Sequence, residues 1–375
     1  MTVWREAQRY KTGEKPLIPS TYPKRWVPMT ESNPLAPAEN TGHLRLVTVE
    51  EHFMSPRVNE AFKQIEARRD RTPAELAKAR FIDAFVAKGD ICEVGEHRLA
   101  RMDEAGVDAQ VLSYGNNSPM YLPTADAVPL CHQANDDLAA FCAQAPDRFF
   151  GIATLPVADP AAAADELSRC VKELGFKGAM FNGTFEGHFF DEERFFPIFE
   201  RAATLGVPVQ FHPGEVDACV ADHYYAGPWP AQVRTVLSGH GIGWHYDSGV
   251  QYLRFILSGM LDRLPGLTLV CGHWGELLPY YLGRLNDTLP PEVTGLERSI
   301  KDYFRDNLYV SPSGMFYEAP FRLCLDELGA DHILWASDYP YRPIGEARTF
   351  LEGFGLTKKD LALVAHGNAE RIFGL

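Results

Sequence analysis

Residues 45–53 read RLVTVEEHF, a short run of β-branched residues that ends in two carboxylates and a histidine. Such a run is typical of a buried β-strand. Side chains alternate along a strand, so Glu50 and His52 should point to one side and Glu51 to the other. A carboxylate and an imidazole on one side could bind one metal ion. Taken alone, the triplet could also be an ordinary acidic strand end, so its meaning depends on the rest of the chain.

The whole chain repeats the alternation that begins at this run. Short apolar runs are separated by longer segments whose apolar residues recur every three or four positions, which is typical of a parallel sheet covered by helices. The predicted strands are 45–50, 107–113, 149–155, 178–182, 207–212, 268–272, 308–311 and 333–337. Because eight such units can close on themselves, we predict an α/β fold, and specifically a (β/α)8 barrel.

The strand and helix patterns begin at about residue 44, so the barrel should comprise residues 44–375 as one domain. Long insertions after strands 1 and 5, at 55–100 and 213–246, would overhang the C-terminal face, where barrel enzymes build substrate walls. Residues 1–43 contain six prolines among charged residues without periodicity, which predicts an extended Pro-rich arm. That arm could be a loosely ordered tail or could wrap over a neighbouring subunit.

The composition excludes several classes of partner. The 375 residues carry a net charge of −14, and phosphate backbones are bound through clustered lysine and arginine, so we expect no nucleic-acid partner. No stretch approaches the ~20 apolar residues of a membrane span, and residues 1–17 lack a signal-peptide pattern. The seven cysteines are scattered without a CxxC pair, as in reduced proteins. The expected location is therefore cytoplasmic, away from membranes.

Three other predicted strands end in residues that can bind a metal or transfer a proton. Strand 5 ends at His212, strand 6 at His273 and strand 8 at Asp338. A lone histidine at a strand end is often a hydrogen-bonded core residue, but the C-terminal ends of barrel strands converge on one mouth. We therefore expect one divalent ion, Zn2+ or Mn2+, to be held by nitrogen and oxygen ligands. The candidate ligands are Glu50, His52, His212, His273 and Asp338.

The residues after His273 suggest an acid–base group beside the metal. Glu276 follows three positions later and could orient the imidazole by accepting its N–H. It could instead stabilise the start of a helix, where acidic residues are common.

These motifs resemble a known family over residues 45–375. The chain is similar to the aminocarboxymuconate-semialdehyde decarboxylase-like branch of the amidohydrolase superfamily. The motifs that carry the similarity are, in chain order, Glu50-x-His52, His212, Gly272-His273-x-Gly275-Glu276-x-x-Pro279, Asp338-x-Pro340 and Gly367-Asn368-Ala369-x-Arg371-x-Phe373. Within this branch, the chain looks most like the hydroxybenzoate decarboxylases that act on γ-resorcylate, 2,3-dihydroxybenzoate and 5-carboxyvanillate. The resemblance implies a homodimer or homotetramer. It also implies that Glu50, His52, His212 and Asp338 bind the metal and that Asp338, His273 and Glu276 are catalytic.

Two departures from the wider superfamily favour a single metal ion. Hydrolytic members of the resembled superfamily typically open with His-x-His and often carry a carbamylated lysine at the end of strand 4. Here Glu50 replaces the first histidine, and strand 4 ends in Phe181-Asn182-Gly183.

The resemblance predicts non-oxidative decarboxylation of a small ortho-hydroxyaryl carboxylate. Asp338 is the expected proton donor to the ring carbon. Candidate substrate contacts are Arg284, which matches an arginine of the resembled decarboxylases, the aromatic residues Phe53, Trp274 and Tyr339, and Asn116. Each also has an ordinary interpretation, as a surface arginine, a core aromatic residue or a turn asparagine.

Two other functions are compatible with the same residues. A metal-dependent hydrolase or hydratase of a ring-cleavage carboxylic acid could use this barrel and this ion to activate water. A catalytically silent barrel used for binding is the third possibility, and it would be expected to have lost metal ligands.

Overall fold

A computed structural model describes residues 43–70 and 73–375. The predicted Pro-rich arm, residues 1–43, lies outside the described residues except for its last residue.

Within the described residues, seven parallel strands form the wall of the barrel. They are β1 (Val47–Phe53), β2 (Ala109–Tyr114), β3 (Phe149–Gly151), β4 (Ala179–Asn182), β5 (Val209–His212), β6 (Leu269–Cys271) and β7 (Leu308–Val310). Strands β1–β3 are hydrogen-bonded in one sheet and β4–β7 in another. A parallel bridge between Ala153 and Ala179 joins the two sheets on one side.

The predicted eighth strand, 333–337, is an irregular segment rather than a regular strand. It makes one parallel bridge, between Val310 and Ile333, and the Val49 N–H donates to the Trp335 carbonyl over 2.9 Å. It therefore lies between β7 and β1, as expected for the eighth position of the predicted barrel. The strand cannot continue because the N–H groups of Ser337 and Tyr339 donate to a side chain of β1 and not to a neighbouring strand.

Helices cover the outside of the barrel. They are α1 (Pro56–Glu66), α2 (Pro73–Val86), α3 (Glu96–Ala105), α4 (Thr124–Cys142), α5 (Pro160–Lys172), α6 (Phe196–Leu205), α7 (Ala231–Val236), α8 (Gly243–Leu257), α9 (Leu278–Thr288), α10 (Ile300–Asn307), α11 (Glu318–Leu328), α12 (Ala347–Gly353), α13 (Lys358–Ala362) and α14 (Asn368–Phe373). No helix of the described part is long and apolar enough to cross a membrane.

The two predicted insertions are present and carry helices of their own. Residues 55–100 contain α1, α2 and the start of α3, and residues 213–246 contain α7 and the start of α8. As shown below, α3 and α8 bring Arg98 and His245 close to the site.

Apolar side chains fill the barrel interior at the end opposite the site. Val47 and Val49 of β1 pack there with residues of other strands, and α14 contributes Ala369 and Phe373. Because these layers exclude water from one end, ligands can enter only at the C-terminal mouth, where the polar residues are found.

Candidate metal centre and acid–base pair

The two predicted ligands of β1, Glu50 and His52, face the barrel mouth because the strand contains a bulge. Thr48 pairs with Gln110 and Glu51 with Leu112, so β1 has one extra residue between these pairs. Val49 faces the barrel interior, so strict alternation would have turned Glu51 into the barrel and Glu50 out of it. The extra residue resets the alternation, and Glu50 instead reaches the interior, where it accepts a hydrogen bond from Gln210 over 2.7 Å.

The four predicted metal ligands meet at this mouth. One atom from each of Glu50, His52, His212 and Asp338 lies within 4.8 Å of the other three. His52 Nε2 is 3.2 Å from Asp338 Oδ1, and His212 Nε2 is 3.5 Å from Glu50 Oε1. The side chains of Glu50 and His52 are 0% and 1% exposed, whereas those of His212 and Asp338 are each 14% exposed. The site is therefore closed on one side and open on the other.

Hydrogen bonds to the outer nitrogens orient both histidines. His52 Nδ1 is 3.0 Å from Ser113 Oγ, and His212 Nδ1 is 2.7 Å from the Pro213 carbonyl oxygen. The carbonyl can only accept, so His212 carries its proton on Nδ1 and presents a lone pair on Nε2. Such outer partners are how proteins aim the imidazoles of a metal site.

Glu50 is held from behind in the same way. Its Oε2 atom accepts hydrogen bonds from Gln210 and from Ser313, the latter over 2.5 Å, while Oε1 faces the cluster. Gly272 makes room for this carboxylate, because a Cβ atom at that position would lie 2.6 Å from Glu50 Oε2. One carboxylate oxygen is thus fixed by the protein and the other is left for a ligand.

The facing atoms fit a bound cation. Glu50 Oε1, His52 Nε2 and Asp338 Oδ1 are buried and have no hydrogen-bond partner. Buried polar atoms are nearly always paired, and each unpaired one costs about 1–3 kcal/mol. A divalent ion between them would satisfy all three, and mixed imidazole and carboxylate ligands suit Zn2+ or Mn2+.

The charge states of the free ligands also favour a cation. Burial lowers the pKa of His52 to about 4 and that of His212 to about 3, so both imidazoles are neutral at neutral pH. Burial raises the pKa of Asp338 to about 7 in the metal-free chain. Asp338 can therefore gain or lose a proton near neutral pH.

We expect metal affinity to fall as the pH drops below about 7. A proton on Asp338 competes with the cation, so the dissociation constant should rise about tenfold per pH unit below that pKa. His52 and His212 add little in this range, because their pKa values lie at about 4 and about 3. Calorimetric titration of the chelator-treated protein with Mn2+ at several pH values tests this. A dissociation constant that stays the same between about pH 7 and pH 5.5 would contradict it.

His273 lies beside the cluster and pairs with Glu276. Its ring centroid is 5.8 Å from that of His212, and its Nδ1 atom is 2.8 Å from Glu276 Oε1. Burial disfavours the imidazolium, but the Glu276 carboxylate outweighs it and raises the pKa of His273 to about 9. The His273 imidazolium in turn keeps the pKa of the buried Glu276 below its usual range, although burial alone would raise that pKa. His273 can therefore hold a proton at neutral pH next to the metal ligands.

A left-handed turn positions this pair. Residues 273–277 all have positive φ, between 48° and 78°. Each non-glycine residue there costs roughly 1–2 kcal/mol, so the turn must be held by other contacts. The His273 N–H donates to Ser313 Oγ over 3.0 Å and the Trp274 N–H to the Ser311 carbonyl over 2.7 Å. Backbone strain is thus concentrated where the acid–base group is aimed.

His245, in the second insertion, also belongs to this group. Its Nδ1 atom is 2.7 Å from Glu276 Oε2, and its ring centroid is 4.5 Å from that of His273. The spacing of His245 in the sequence does not indicate this role, because α8 reaches the site only through tertiary packing. Tyr341 is a second neighbour, with its ring centroid 5.1 Å from that of His52.

Two of the candidate substrate contacts are core residues. Phe53 is 1% exposed and packs edge-on against Tyr114 and Phe141, because it follows His52 and so points out of the barrel. Trp274 is 3% exposed and stacks on Phe321, since the left-handed turn directs it away from the mouth. The structure thus places both rings in the core, and their contact with a substrate stays a prediction.

The other three candidates lie in different surroundings. Tyr339 is 5% exposed, with the Arg98 guanidinium 4.8 Å from its ring centroid. Arg284 is exposed on α9, outside the buried cluster. The Asn116 N–H donates to the Tyr341 hydroxyl over 3.0 Å. Since Tyr341 borders His52, Asn116 contacts a neighbour of the predicted metal ligands.

The barrel and the cluster of candidate metal ligands at its mouth point to an enzyme of the amidohydrolase class. Residues 52–375 match the model of the Amidohydrolase family, so the chain belongs to this family. It is 32% identical to a γ-resorcylate decarboxylase of Rhodococcus jostii, over 88% of this chain and 98% of the relative.

Two solved structures are similar to the whole described barrel. The 5-carboxyvanillate decarboxylase LigW of Sphingomonas paucimobilis has a TM-score of 0.81 and 30% identity, over 88% of this chain and 99% of that one. A dihydroxybenzoic acid decarboxylase of Polaromonas sp. JS666, with bound manganese and the inhibitor 2-nitroresorcinol, has a TM-score of 0.72 and 29% identity, over 88% and 97%. The resemblance to hydroxybenzoate decarboxylases predicted from the motifs is confirmed.

Proposed function

We propose that this chain is a metal-dependent, non-oxidative decarboxylase of an ortho-hydroxyaryl carboxylate, and hence a carbon–carbon lyase. The observation that carries the proposal is the partnerless set of Glu50 Oε1, His52 Nε2 and Asp338 Oδ1 beside a proton-holding His273. The named decarboxylases above support the reaction type.

One divalent ion per chain would be held by Glu50, His52, His212 and Asp338. The relative with bound manganese favours Mn2+ over Zn2+. When bound, such an ion would orient and polarise the phenol and carboxylate oxygens of the substrate.

Asp338 would supply the proton that the reaction needs. The electron pair of the breaking carbon–carbon bond stays on the ring carbon, and a bare aryl anion is too unstable to form, so that carbon must receive a proton as CO2 leaves. An ortho hydroxyl makes the carbon electron-rich. Burial raises the pKa of Asp338 in the metal-free chain, which favours the protonated carboxyl group, whereas a bound cation would favour the carboxylate. In the metal-loaded protein, Asp338 would therefore carry the proton only for the transfer itself.

His273 and Glu276 would restore that proton. The Glu276 carboxylate raises the pKa of His273 to about 9, and the resulting imidazolium is close enough to Asp338 to lower the pKa of that carboxyl group. After each turnover, His273 would pass its proton to the Asp338 carboxylate and would be reprotonated from solvent, which supplies the one proton that each decarboxylation consumes. The cationic ring also offsets the negative charge of a substrate carboxylate in an acidic protein.

We expect Mn2+-loaded protein to release CO2 from ortho-hydroxybenzoates and not from their isomers. Only an ortho hydroxyl both activates the reacting carbon and lies beside the carboxylate for shared binding to one ion. The assay follows CO2 from 2,6-dihydroxybenzoate, 2,3-dihydroxybenzoate and 5-carboxyvanillate, with 3- and 4-hydroxybenzoate as controls. No turnover of any of them, together with hydrolysis of a lactone or amide, would favour the hydrolase alternative.

The same experiment addresses the silent-barrel alternative, because a binding protein would turn over none of these compounds. All four metal ligands are present in the described cluster, which argues against that alternative. The homodimer or homotetramer and the cytoplasmic location stay predictions from the sequence.

A further inference from the structure

We propose that Glu51 is a positioning residue: with Arg98 it forms a clamp behind the site that fixes the backbone on both sides of Asp338. Glu51 lies between two metal ligands in sequence but on the opposite face of β1. Only the expected effect on turnover rests on the proposed function. The expected effect on metal binding does not, since the clamp acts on the geometry of the metal site itself.

The Glu51 carboxylate spans Asp338. One oxygen accepts the Ser337 N–H over 2.8 Å, and the other accepts the Tyr339 N–H over 3.0 Å. Both residues flank Asp338, and Glu51 is completely buried. A carboxylate is needed for this arrangement because both of its oxygens accept, whereas an amide would place an N–H group against one of the two donors.

Asp338 requires such support because its backbone has φ of 60°. An aspartate rarely adopts this left-handed conformation without constraints from its surroundings. The Asp338 N–H donates to the Glu50 carbonyl over 3.1 Å, and the His52 N–H donates to the Tyr339 carbonyl over 2.7 Å. Three consecutive N–H groups, at 337, 338 and 339, are thus bound by residues 50 and 51 of β1.

Arg98 completes the clamp from the first insertion. It is 1% exposed, and one of its nitrogens donates to the His52 carbonyl over 2.6 Å. Its guanidinium lies over the ring of Tyr339 and is near enough to Glu51 for electrostatic interaction. Arg98 therefore offsets part of the cost of burying the Glu51 carboxylate, and it ties α3 to the His52 backbone and to the Tyr339 side chain.

Together these contacts join the end of β1, residues 50–52, to the turn at Asp338 as one rigid unit. The unit holds three of the four metal ligands, while His212 stands apart on β5. A shift of a few tenths of an ångström in the Asp338 backbone would change the ligand geometry, and metal sites are sensitive to such outer contacts.

Glu51→Gln tests the clamp, with Glu166→Gln as the matched control. Glu166 is equally buried, at 1% exposure, and also holds two segments together through Asn135 and Arg169, but it lies on α5 and contacts none of the metal ligands. Both variants should lower the thermal unfolding midpoint. Only Glu51→Gln should raise the dissociation constant for Mn2+, by about 10- to 100-fold, and change the visible absorption of the Co2+-substituted protein.

The kinetic readout separates positioning from folding. We expect kcat of Glu51→Gln to fall about 10- to 100-fold while KM changes less than about threefold, and both constants of Glu166→Gln to stay near those of the wild type. Wild-type Mn2+ affinity and an unchanged cobalt spectrum in Glu51→Gln would overturn the clamp. Those two measurements remain decisive even if the wild-type protein decarboxylates none of the hydroxybenzoates.

Arg98→Lys provides a second test in case Glu51→Gln does not fold. Lysine keeps the charge, but its single amine cannot both bond to the His52 carbonyl and cover the Tyr339 ring. We expect weaker Mn2+ binding and an altered cobalt spectrum, each with a smaller change than in Glu51→Gln. If both properties match those of the wild type, the clamp is overturned.

Discussion

Asp338→Asn should reduce kcat for decarboxylation by at least about a thousandfold. The loss is large because the variant lacks both a general acid and an anionic metal ligand. Asparagine has nearly the same shape as aspartate, but its amide is far too weak an acid to protonate carbon. The ring carbon would therefore lose its proton source. Its amide oxygen can still contact a cation. We therefore expect the metal content to fall much less than kcat, and this difference identifies the proton as the missing element.

The measurement pairs steady-state kinetics with metal analysis of the same sample. Asp326→Asn serves as the control, because Asp326 is exposed on α11 and should leave kcat and KM unchanged. If Asp338→Asn decarboxylates at a near-normal rate, Asp338 has no role in the chemistry and His273 would become the candidate proton donor.

The location of the site could be predicted from the sequence because it depends on topology. His212 and Asp338 each follow a run that forms part of the barrel wall, and the ends of parallel strands converge whatever the precise strand boundaries. For this reason the irregular eighth segment did not disturb the prediction. Asp338 stands at the mouth although residues 333–337 form only one bridge to β7.

The directions of single side chains could be predicted less well. Alternation within Glu50–His52 was read correctly, but the bulge that turns Glu50 inward leaves no mark in the sequence. The sequence likewise does not indicate the left-handed turn at 273–277, which directs Trp274 into the core. Gly275 is the one residue in that turn whose type favours positive φ, and one glycine does not specify five such residues.

Contacts made by the insertions were not predictable at all. His245 and Arg98 come from α8 and α3, and each reaches the site through packing between segments that are far apart in sequence. Glu51 was assigned to the far side of β1, which is correct, but its bonds to Ser337 and Tyr339 depend on how the barrel closes. Such residues emerge only once the tertiary structure is known.

Removing the metal should affect turnover as strongly as any substitution. Without a cation, the carboxylates of Glu50 and Asp338 face each other in a buried site, and a substrate carboxylate would add a third negative charge. Nothing among the cluster residues can then hold the phenol and carboxylate oxygens. We expect chelator-treated protein to retain less than about 1% of the activity and to regain it with Mn2+ or Zn2+.

The most direct test of a one-metal decarboxylase is a titration of this metal-free protein. CO2 release from 2,6-dihydroxybenzoate, or from whichever ortho-hydroxybenzoate is the best substrate, is followed as Mn2+ is added in steps, and bound metal is measured at each step. The account predicts that activity rises in proportion to bound metal and reaches its maximum at about one ion per chain. Full activity in protein that holds less than about a tenth of an ion per chain, or a maximum reached only at two ions, would contradict it.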